Sequence, residues 1–446
     1  MEFKQVLVKR TWSSSHGQTC LCRANRGKRL QKSRSVILSR YNSNMPPSTV
    51  SSRHFYQNQT LLDYASRPIR PVSLKQLAYF GRKLSDDKII QSANFVRQEI
   101  PTRMARRIHD MQSLPYVIVR NTHISSVYEL YYDSFNAIRR FPIIKTMEDN
   151  ARFCDVLGEL LTFHTAVIPH LVMGVIECAD EIEQSRMDKF MDSMLRSRIS
   201  RRVMTEQHIA MTDAYIHGTR KNSLGQVNQG FLQCGAESIV QHCDALARKL
   251  ASSLHDNVPL PQLKFEGDIS VKFAYVESHL KYMIGEILRN TFEGAVEVYK
   301  ATGKVIDPIL VTIVDAPEHV IFRFSDKAGG MPQDIIPYLW SFAKGPRSAT
   351  RHQNFKQVPV LEGIIEELET SVAEATDQKK PISSLASLTS RSPLLRLGMG
   401  LPMSKIYAEF WGGSISIKSI EGYGCDVFLH LSKLGNENSF VETHNI

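Results

Sequence analysis

The stretch His279-Leu280-Lys281-Tyr282-Met283-Ile284-Gly285-Glu286-Ile287-Leu288-Arg289-Asn290-Thr291-Phe292-Glu293-Gly294-Ala295-Val296-Glu297 decides how this chain is read. Leu280, Met283, Ile284, Ile287 and Leu288 recur at the spacing of one α-helical face. Opposite them, Tyr282, Glu286, Asn290, Glu293 and Glu297 stack as one polar stripe along the same helix. A merely solvated surface produces such a stripe too, so the helix acquires meaning only from the segments downstream of it.

Two of these segments carry glycines. Ser325-Asp326-Lys327-Ala328-Gly329-Gly330-Met331-Pro332 succeeds a strand, and Leu397-Gly398-Met399-Gly400-Leu401-Pro402-Met403-Ser404 opens a helix read at 405–410, ahead of Gly412-Gly413. Glycines before a helix N-terminus let backbone N–H groups approach phosphates, and the helix dipole favours the negative charge. A carboxylate beside glycines after a strand can accept a hydrogen bond from an exocyclic amine such as adenine N6. Each segment alone reads as a turn. Their order, a helix with Glu and Asn, then Asp-x-x-Gly-Gly, then Gly-x-Gly, points to a nucleotide site.

Around these motifs, 309–314, 319–324, 414–418 and 425–431 are short β-branched or alternating runs, as strands are, and 231–255 and 276–300 read as helices. The second half is therefore an α+β domain. Within it, 365–395 carries charged and Ser-rich sequence that buries little, the composition of a mobile inserted loop. Upstream, from Leu61 to about Gly218, the pattern is almost entirely helical. Ser85 reads as an N-cap before Asp86 and Asp87, Leu114-Pro115 breaks the run, and long amphipathic segments cover 146–180 and 183–215. A bundle of about four long helices fits.

The 446 residues suffice for two or three domains with real cores, and seven cysteines without paired spacing indicate neither a zinc site nor a disulfide framework. No apolar run approaches the roughly 18 to 20 residues of a membrane span, so the chain reads as soluble and globular. Its charge is unevenly placed. Residues 1–60 hold eleven Lys or Arg against Glu2 alone; removing these from the totals of 55 basic and 45 acidic residues leaves 44 of each. The basic excess is thus confined to the leading segment, which argues against a nucleic-acid-binding body. Arg-rich, Ser-rich and nearly free of acid, residues 1–55 match a mitochondrial presequence, with a cleavage point placed near Arg40–Tyr41. A basic tail for nuclear or RNA contacts is the competing reading.

The chain resembles the mitochondrial kinases of the pyruvate and branched-chain 2-oxoacid dehydrogenase complexes, members of the GHKL ATPase superfamily, and is most similar to fungal pyruvate dehydrogenase kinases. Besides the three nucleotide motifs, the resemblance rests on Asp63-Tyr64-Ala65, Phe80-Gly81, Leu114-Pro115, His164-Thr165-Ala166-Val167-Ile168-Pro169, Gly174-Val175-Ile176-Glu177, Ser197-Arg198-Ile199-Ser200 and Gln207-His208. It implies a presequence over 1–55, a helical bundle of four-helix type for regulation and docking over 56–225, a Bergerat-type α/β sandwich that binds ATP over 226–435 with 365–395 as its lid, and a tail over 436–446. Glu286 would be the general base, Asn290 the Mg²⁺ ligand and Asp326 the adenine holder. Gly330, Met331, Gly398, Met399, Gly400 and Leu401 would line the nucleotide. The implied cofactors are ATP and Mg²⁺, with K⁺ as a further cation.

By the same resemblance the protein would work in the mitochondrial matrix, phosphorylating and inactivating the decarboxylase subunit of the pyruvate dehydrogenase complex. It would dock on the lipoyl domain of the transacylase core, as a homodimer or as a heterodimer with a related kinase. The branched-chain decarboxylase is the alternative substrate, a catalytically impaired ATP-binding regulatory subunit is a second class, and an autophosphorylating histidine kinase a third. Several positions depart from the family pattern: Ala328 and Arg396 stand where glycines are usual, Tyr282 where His is common, Glu293 in place of Arg and Cys425 in place of Thr. The tail lacks the Asp-Trp pair with which several relatives cross-anchor their dimer. His164 reads as a packed helical core histidine, and the run Arg196, Arg198, Arg201, Arg202 as a solvated helix face.

Overall fold

The computed structural model describes residues 59–70, 84–217, 232–255, 258–342 and 398–433. The leading segment, the inserted loop, the tail, Arg396 and the boundary at 225/226 lie outside the described residues.

Helix α1 (Gln59–Ala65) is followed by α2 (Asp86–Gln112), α3 (Tyr116–Val119), α4 (Thr122–Arg139), α5 (Met147–Phe163), α6 (Val167–Glu177) and α7 (Gln184–His217). Local chemistry accounts for their ends. The Ser85 side chain accepts from Lys88 N at 3.4 Å, and Asp86 and Asp87 face the positive end of the α2 dipole. Thr146 and Asp149 exchange reciprocal bonds at the start of α5, closing a capping box. The long amphipathic segment read over 146–180 is broken by a 3₁₀ turn at His164–Ala166. Pro169, in the first turn of α6, has no N–H to continue the ladder of α5, so the helix restarts there.

Taken together, 147–177 is long and apolar enough to cross a membrane by length and composition, contrary to the sequence expectation. In the fold it is a packed interior element: Phe153, Leu157, Val167, Ile168 and Leu171 are buried, and α5 and α6 lie against α2, α4 and α7.

The second half opens with β1 (Leu232–Gly235), a strand at the head of the stretch expected to be wholly helical, and continues as α8 (Ala236–Leu254). Strands β2 (Leu263–Gly267) and β3 (Lys272–Tyr275) precede α9 (Glu277–Thr302), then β4 (Ile309–Asp315) and β5 (His319–Ser325). Helix α10 (Gly400–Phe410) begins five residues earlier than expected and leads into β6 (Ser414–Ile420) and β7 (Gly424–Ser432). The main sheet runs β2-β4-β5-β7-β6, with β2 and β4 parallel and the other pairs antiparallel; β1 and β3 form a separate ribbon. Register places Val311 opposite Phe324, and Phe324 opposite Val427, so alternate residues of three strands share one buried face. Helix α9 packs on α8 and α10, and α10 on β6 and β7. The protein is thus a helix-rich α+β molecule with a mixed sheet.

Candidate active site

Helix α9 is the axis of the site. Its apolar face is buried as the spacing requires, but its polar stripe is not a solvated surface. Tyr282 and Glu286 are 1% and 2% exposed, Glu293 is half-buried, and Asn290 and Glu297 reach solvent. The cause is α10, which lies along the N-terminal half of the stripe. The Tyr282 hydroxyl meets Met403 Sδ at 3.6 Å and its ring packs on Tyr407. Trp411 Nε1 donates to His279 Nδ1 at 3.0 Å. Burial, with Arg202 and Arg198 nearby, pushes the His279 pKa down to about 3. His279 is thus a neutral packing group.

Glu286 points at the start of α10. A β-carbon on Gly400 would overlap Glu286 Oε2 and lie 3.4 Å from Arg289 Nη2, so a side chain there requires the carboxylate or the helix start to shift. Arg289 forms an ion pair with Glu286 and lies 3.9 Å from Glu293. Burial works to lower the Arg289 pKa, but the carboxylates of Glu286 and Glu293 outweigh it and raise it. The helix-period reading passed over Arg289, although its i+3 spacing from Glu286 is the signal that marks such a pair. Asn290 lies one turn beyond Glu286, with an exposed amide.

Asp326 follows β5 and is buried. Its Oδ1 accepts from Ala328 N at 3.0 Å and Cys425 N at 3.2 Å, and its Oδ2 from Thr291 Oγ1 at 3.1 Å. Burial raises its pKa, opposed by these three hydrogen bonds. Thr291, unmarked in the sequence, thereby ties the carboxylate to α9. Ala328 causes no strain: the left-handed positions are Gly329 and Gly330, and Ala328 sits against the bare Cα of Gly294. Gly330, at φ +67°, approaches the Ile420 carbonyl so closely that a side chain is excluded. Met331 N donates to Ser419 Oγ at 2.7 Å, and that oxygen also accepts from Cys425 Sγ at 3.3 Å. Burial raises the Cys425 pKa, which keeps it a thiol.

Gly398 has φ +65°, Met399 is buried, and Gly400 and Leu401 are the first two residues of α10. Among the described residues no side-chain cap hydrogen bond is made at this helix start, where the dipole favours an anion beside Arg289. The arrangement fits a Mg²⁺–nucleotide: a helix N-terminus and a guanidinium for phosphate, an exposed amide oxygen for a hard cation, and a buried carboxylate for an amine.

Elsewhere, His164 lies in the 3₁₀ turn rather than in a helix. Its Nε2 meets Ser134 Oγ at 2.8 Å, its ring stacks on Tyr131, and burial with Arg201 and Arg198 nearby holds its pKa well below the usual value. The arginine run is not a solvated face. Arg198 and Arg201 are each 4% exposed, because α7 is wedged between α2, α5 and α10. Arg196 binds Asp192 and, at 2.7 Å, Glu409 of α10; Arg202 binds Glu206; Arg201 donates to Tyr131. Arg198, Arg201, Arg202 and His164 line a small cavity with Ile100 and Leu157.

The fold is α+β and the site suits a phosphorylated ligand; comparison with known proteins then gives the class, a protein kinase. The family described as mitochondrial branched-chain alpha-ketoacid dehydrogenase kinase matches residues 71–228. The chain is 35% identical over 430 residues to [Pyruvate dehydrogenase (acetyl-transferring)] kinase 2, mitochondrial, of Saccharomyces cerevisiae, covering 87% of this chain and 86% of that one. It is 28% identical to the mitochondrial enzyme of Arabidopsis thaliana, over 82% of this chain and 91% of the relative. Identity to isozyme 4 of Homo sapiens is 26%, over 82% of each chain. The chain belongs to the family of mitochondrial pyruvate dehydrogenase kinases.

Proposed function

We propose that this protein is a mitochondrial-matrix serine/threonine protein kinase that uses Mg-ATP to phosphorylate, and so inactivate, the decarboxylase subunit of the pyruvate dehydrogenase complex. The observation that carries this reading is the apposition of Glu286 of α9 to Gly400 at the start of α10, with Asp326 held to α9 by Thr291. One helix thereby spans a phosphate end and an adenine end.

In this reading Mg-ATP supplies the transferable phosphoryl group. Asn290 offers its side-chain oxygen to Mg²⁺, and Asp326 accepts from the adenine amine. Gly330, Met331, Gly398, Met399, Gly400 and Leu401 bring backbone to the nucleotide without side-chain obstruction. Glu286 receives the hydrogen bond of the acceptor serine hydroxyl and orients it. Phosphoryl transfer needs positioning and charge neutralisation more than a strong base, so a carboxylate suffices without a histidine partner at Tyr282. Arg289 neutralises charge at the phosphate end.

The helices α1–α7 then act as a four-helix-type regulatory and docking domain over 56–225, with 226–435 the Bergerat-type ATP domain and 365–395 its lid. Residues 1–55 serve as the presequence and 436–446 as the tail. Docking on the lipoyl domain of the transacylase core, dimerisation with itself or a related kinase, and use of K⁺ belong to the same proposal.

The test is transfer of labelled γ-phosphate by the purified chain to pyruvate and branched-chain decarboxylases offered side by side, with Glu286→Gln as control. Selective serine labelling of the pyruvate decarboxylase is expected. Labelling of neither, with ATP still bound, would overturn the kinase reading, and labelling of the branched-chain protein alone would overturn the substrate.

A further inference from the structure

Away from the nucleotide site, the first turn of α4 meets one face of α6. There His123 Nδ1 and His170 Nδ1 lie 3.1 Å apart, the rings tilted by 44°. On the far side of the His123 ring, Nε2 faces Glu177 Oε1 at 3.7 Å. Glu177 Oε2 in turn accepts from Asn121 Nδ2 at 2.7 Å. Asn121 is the N-cap of α4, and its Oδ1 accepts from His123 N at 3.0 Å and Ile124 N at 3.2 Å.

The two histidines are brought together by built-in constraints. His170, Gly174 and Glu177 fall at i, i+4 and i+7 and share one face of α6. Gly174 sets the helix separation, since a β-carbon there would lie 2.6 Å from Ile124 Cγ1 and Cδ1. Ile124 is fully buried, so a side chain at 174 would require Ile124 to repack or the helices to part. The cap at Asn121 then fixes both the backbone of His123 and the carboxylate behind its ring.

Two imidazole nitrogens that face each other at this distance can share a proton or a metal ion. With metal–nitrogen bonds of about 2.0–2.1 Å, nitrogens 3.1 Å apart subtend roughly 100° at the ion. That angle suits cis positions of a tetragonal Cu²⁺ or a distorted tetrahedral Zn²⁺. A carboxylate near the opposite ring nitrogen favours a proton there and leaves the other lone pair free; Glu177 Oε1, 3.7 Å from His123 Nε2, is beyond hydrogen-bond distance and acts by its charge. We propose that His123 and His170 form a two-imidazole site for a divalent transition-metal ion, oriented by Glu177 and Asn121.

Binding needs the Nδ1 lone pair of both rings, so the hydrogen held between the two Nδ1 atoms moves to Nε2 of the ring that carried it. Among the described residues no third His, Cys, Asp or Glu converges on the pair, so water completes the coordination. The His123 side chain is 17% exposed and that of Glu177 38%, which leaves solvent a path to the ion.

The test is titration of the purified full chain with Cu²⁺ alone, read by calorimetry and electron paramagnetic resonance, on the native protein and on His123→Asn, His170→Asn and Glu177→Gln. One equivalent with two coordinated imidazole nitrogens is expected. Each histidine variant should weaken binding at least tenfold and remove one nitrogen from the spectrum, and Glu177→Gln should weaken it less. Unchanged affinity and spectrum in both histidine variants would overturn the site. Should a variant fail to fold, the native protein still decides, since a spectrum without two imidazole nitrogens also refutes the assignment.

Discussion

The α-carbon of Gly400 lies against the carboxylate of Glu286, so the first residue of α10 and a buried acid of α9 occupy neighbouring space that no side chain enters. The backbone donors of a helix start are thereby brought to the proposed base, 114 positions apart in the chain. The contact also explains why the stripe on α9 is covered at one end and open at the other.

Gly400→Ala is therefore expected to displace Glu286 or the helix start. Overpacking of this kind costs about 1–3 kcal/mol. ATP affinity should fall at least tenfold and phosphotransfer further, as read by nucleotide titration and labelling. Native affinity in this variant would show that the helix start takes no part in binding.

Glu286→Gln preserves shape, so ATP affinity should stay within a few-fold while kcat drops by about 100-fold or more. Arg289→Met removes the cation nearest a buried carboxylate, a change that typically costs about 3 kcal/mol. Urea denaturation should find the variant carrying both substitutions more stable than Arg289→Met alone. If Arg289→Met unfolds at the native denaturant concentration, the ion pair does not hold Glu286 in place.

Thr291→Val deletes the hydroxyl that, at 3.1 Å, donates to Asp326 Oδ2. A lost bond to a charged group is worth about 1.5–3 kcal/mol. Burial already raises the Asp326 pKa and this bond opposes it, so the variant should raise it further. ATP binding should then weaken at a higher pH on acidification than in the native protein. Coincident pH profiles would contradict the role given to Thr291.

His208 and His279 are buried and neutral, with pKa values pushed down to about 4 and about 3 from 6.5, in both cases mainly by burial. His208 sits in a network with Ser92 Oγ and Asn150 Oδ1, each at 3.0 Å. Below pH 6.5 the unfolded chain takes up protons that the folded chain refuses. Stability is thus full above pH 6.5 and declines as pH falls toward the folded values, by about 1.4 kcal/mol per pH unit for each histidine. His208→Gln should lower stability at pH 7.5 but flatten its decline between pH 6.5 and 5 by one such increment. An unaltered slope in denaturant midpoints would exclude His208 as a contributor.

Much of this architecture is local and therefore readable along the chain. Ser85 with Asp86 and Asp87, the helix over 277–302, the turn at Asp326 to Pro332 and the strand alternation at 309–315 and 319–325 each follow from neighbours within a few residues. Strands β1, β2 and β3, of four, five and four residues, escaped because such short runs show too little period to separate from a helix end or a loop. The helix read from 405 starts at Gly400, because glycine and proline, poor in a helix interior, are tolerated in a first turn.

What the chain encodes by itself is the set of elements and the order of chemically apt residues: an acid and an amide on one helix, an acid after a strand, glycines before a helix. Periodicity and capping act over one to four residues, so no partner across the fold is needed to read them. Which of those residues are buried, and against what, depended on helices distant in sequence. Arg198 and Arg201 on α7 became interior, Tyr282 turned to Met403, and Asp326 gained Thr291 and Cys425, because packing brings together groups whose spacing along the chain carries no trace of their contact. The same holds for His123 and His170, 47 residues apart, which a glycine and an asparagine cap set face to face.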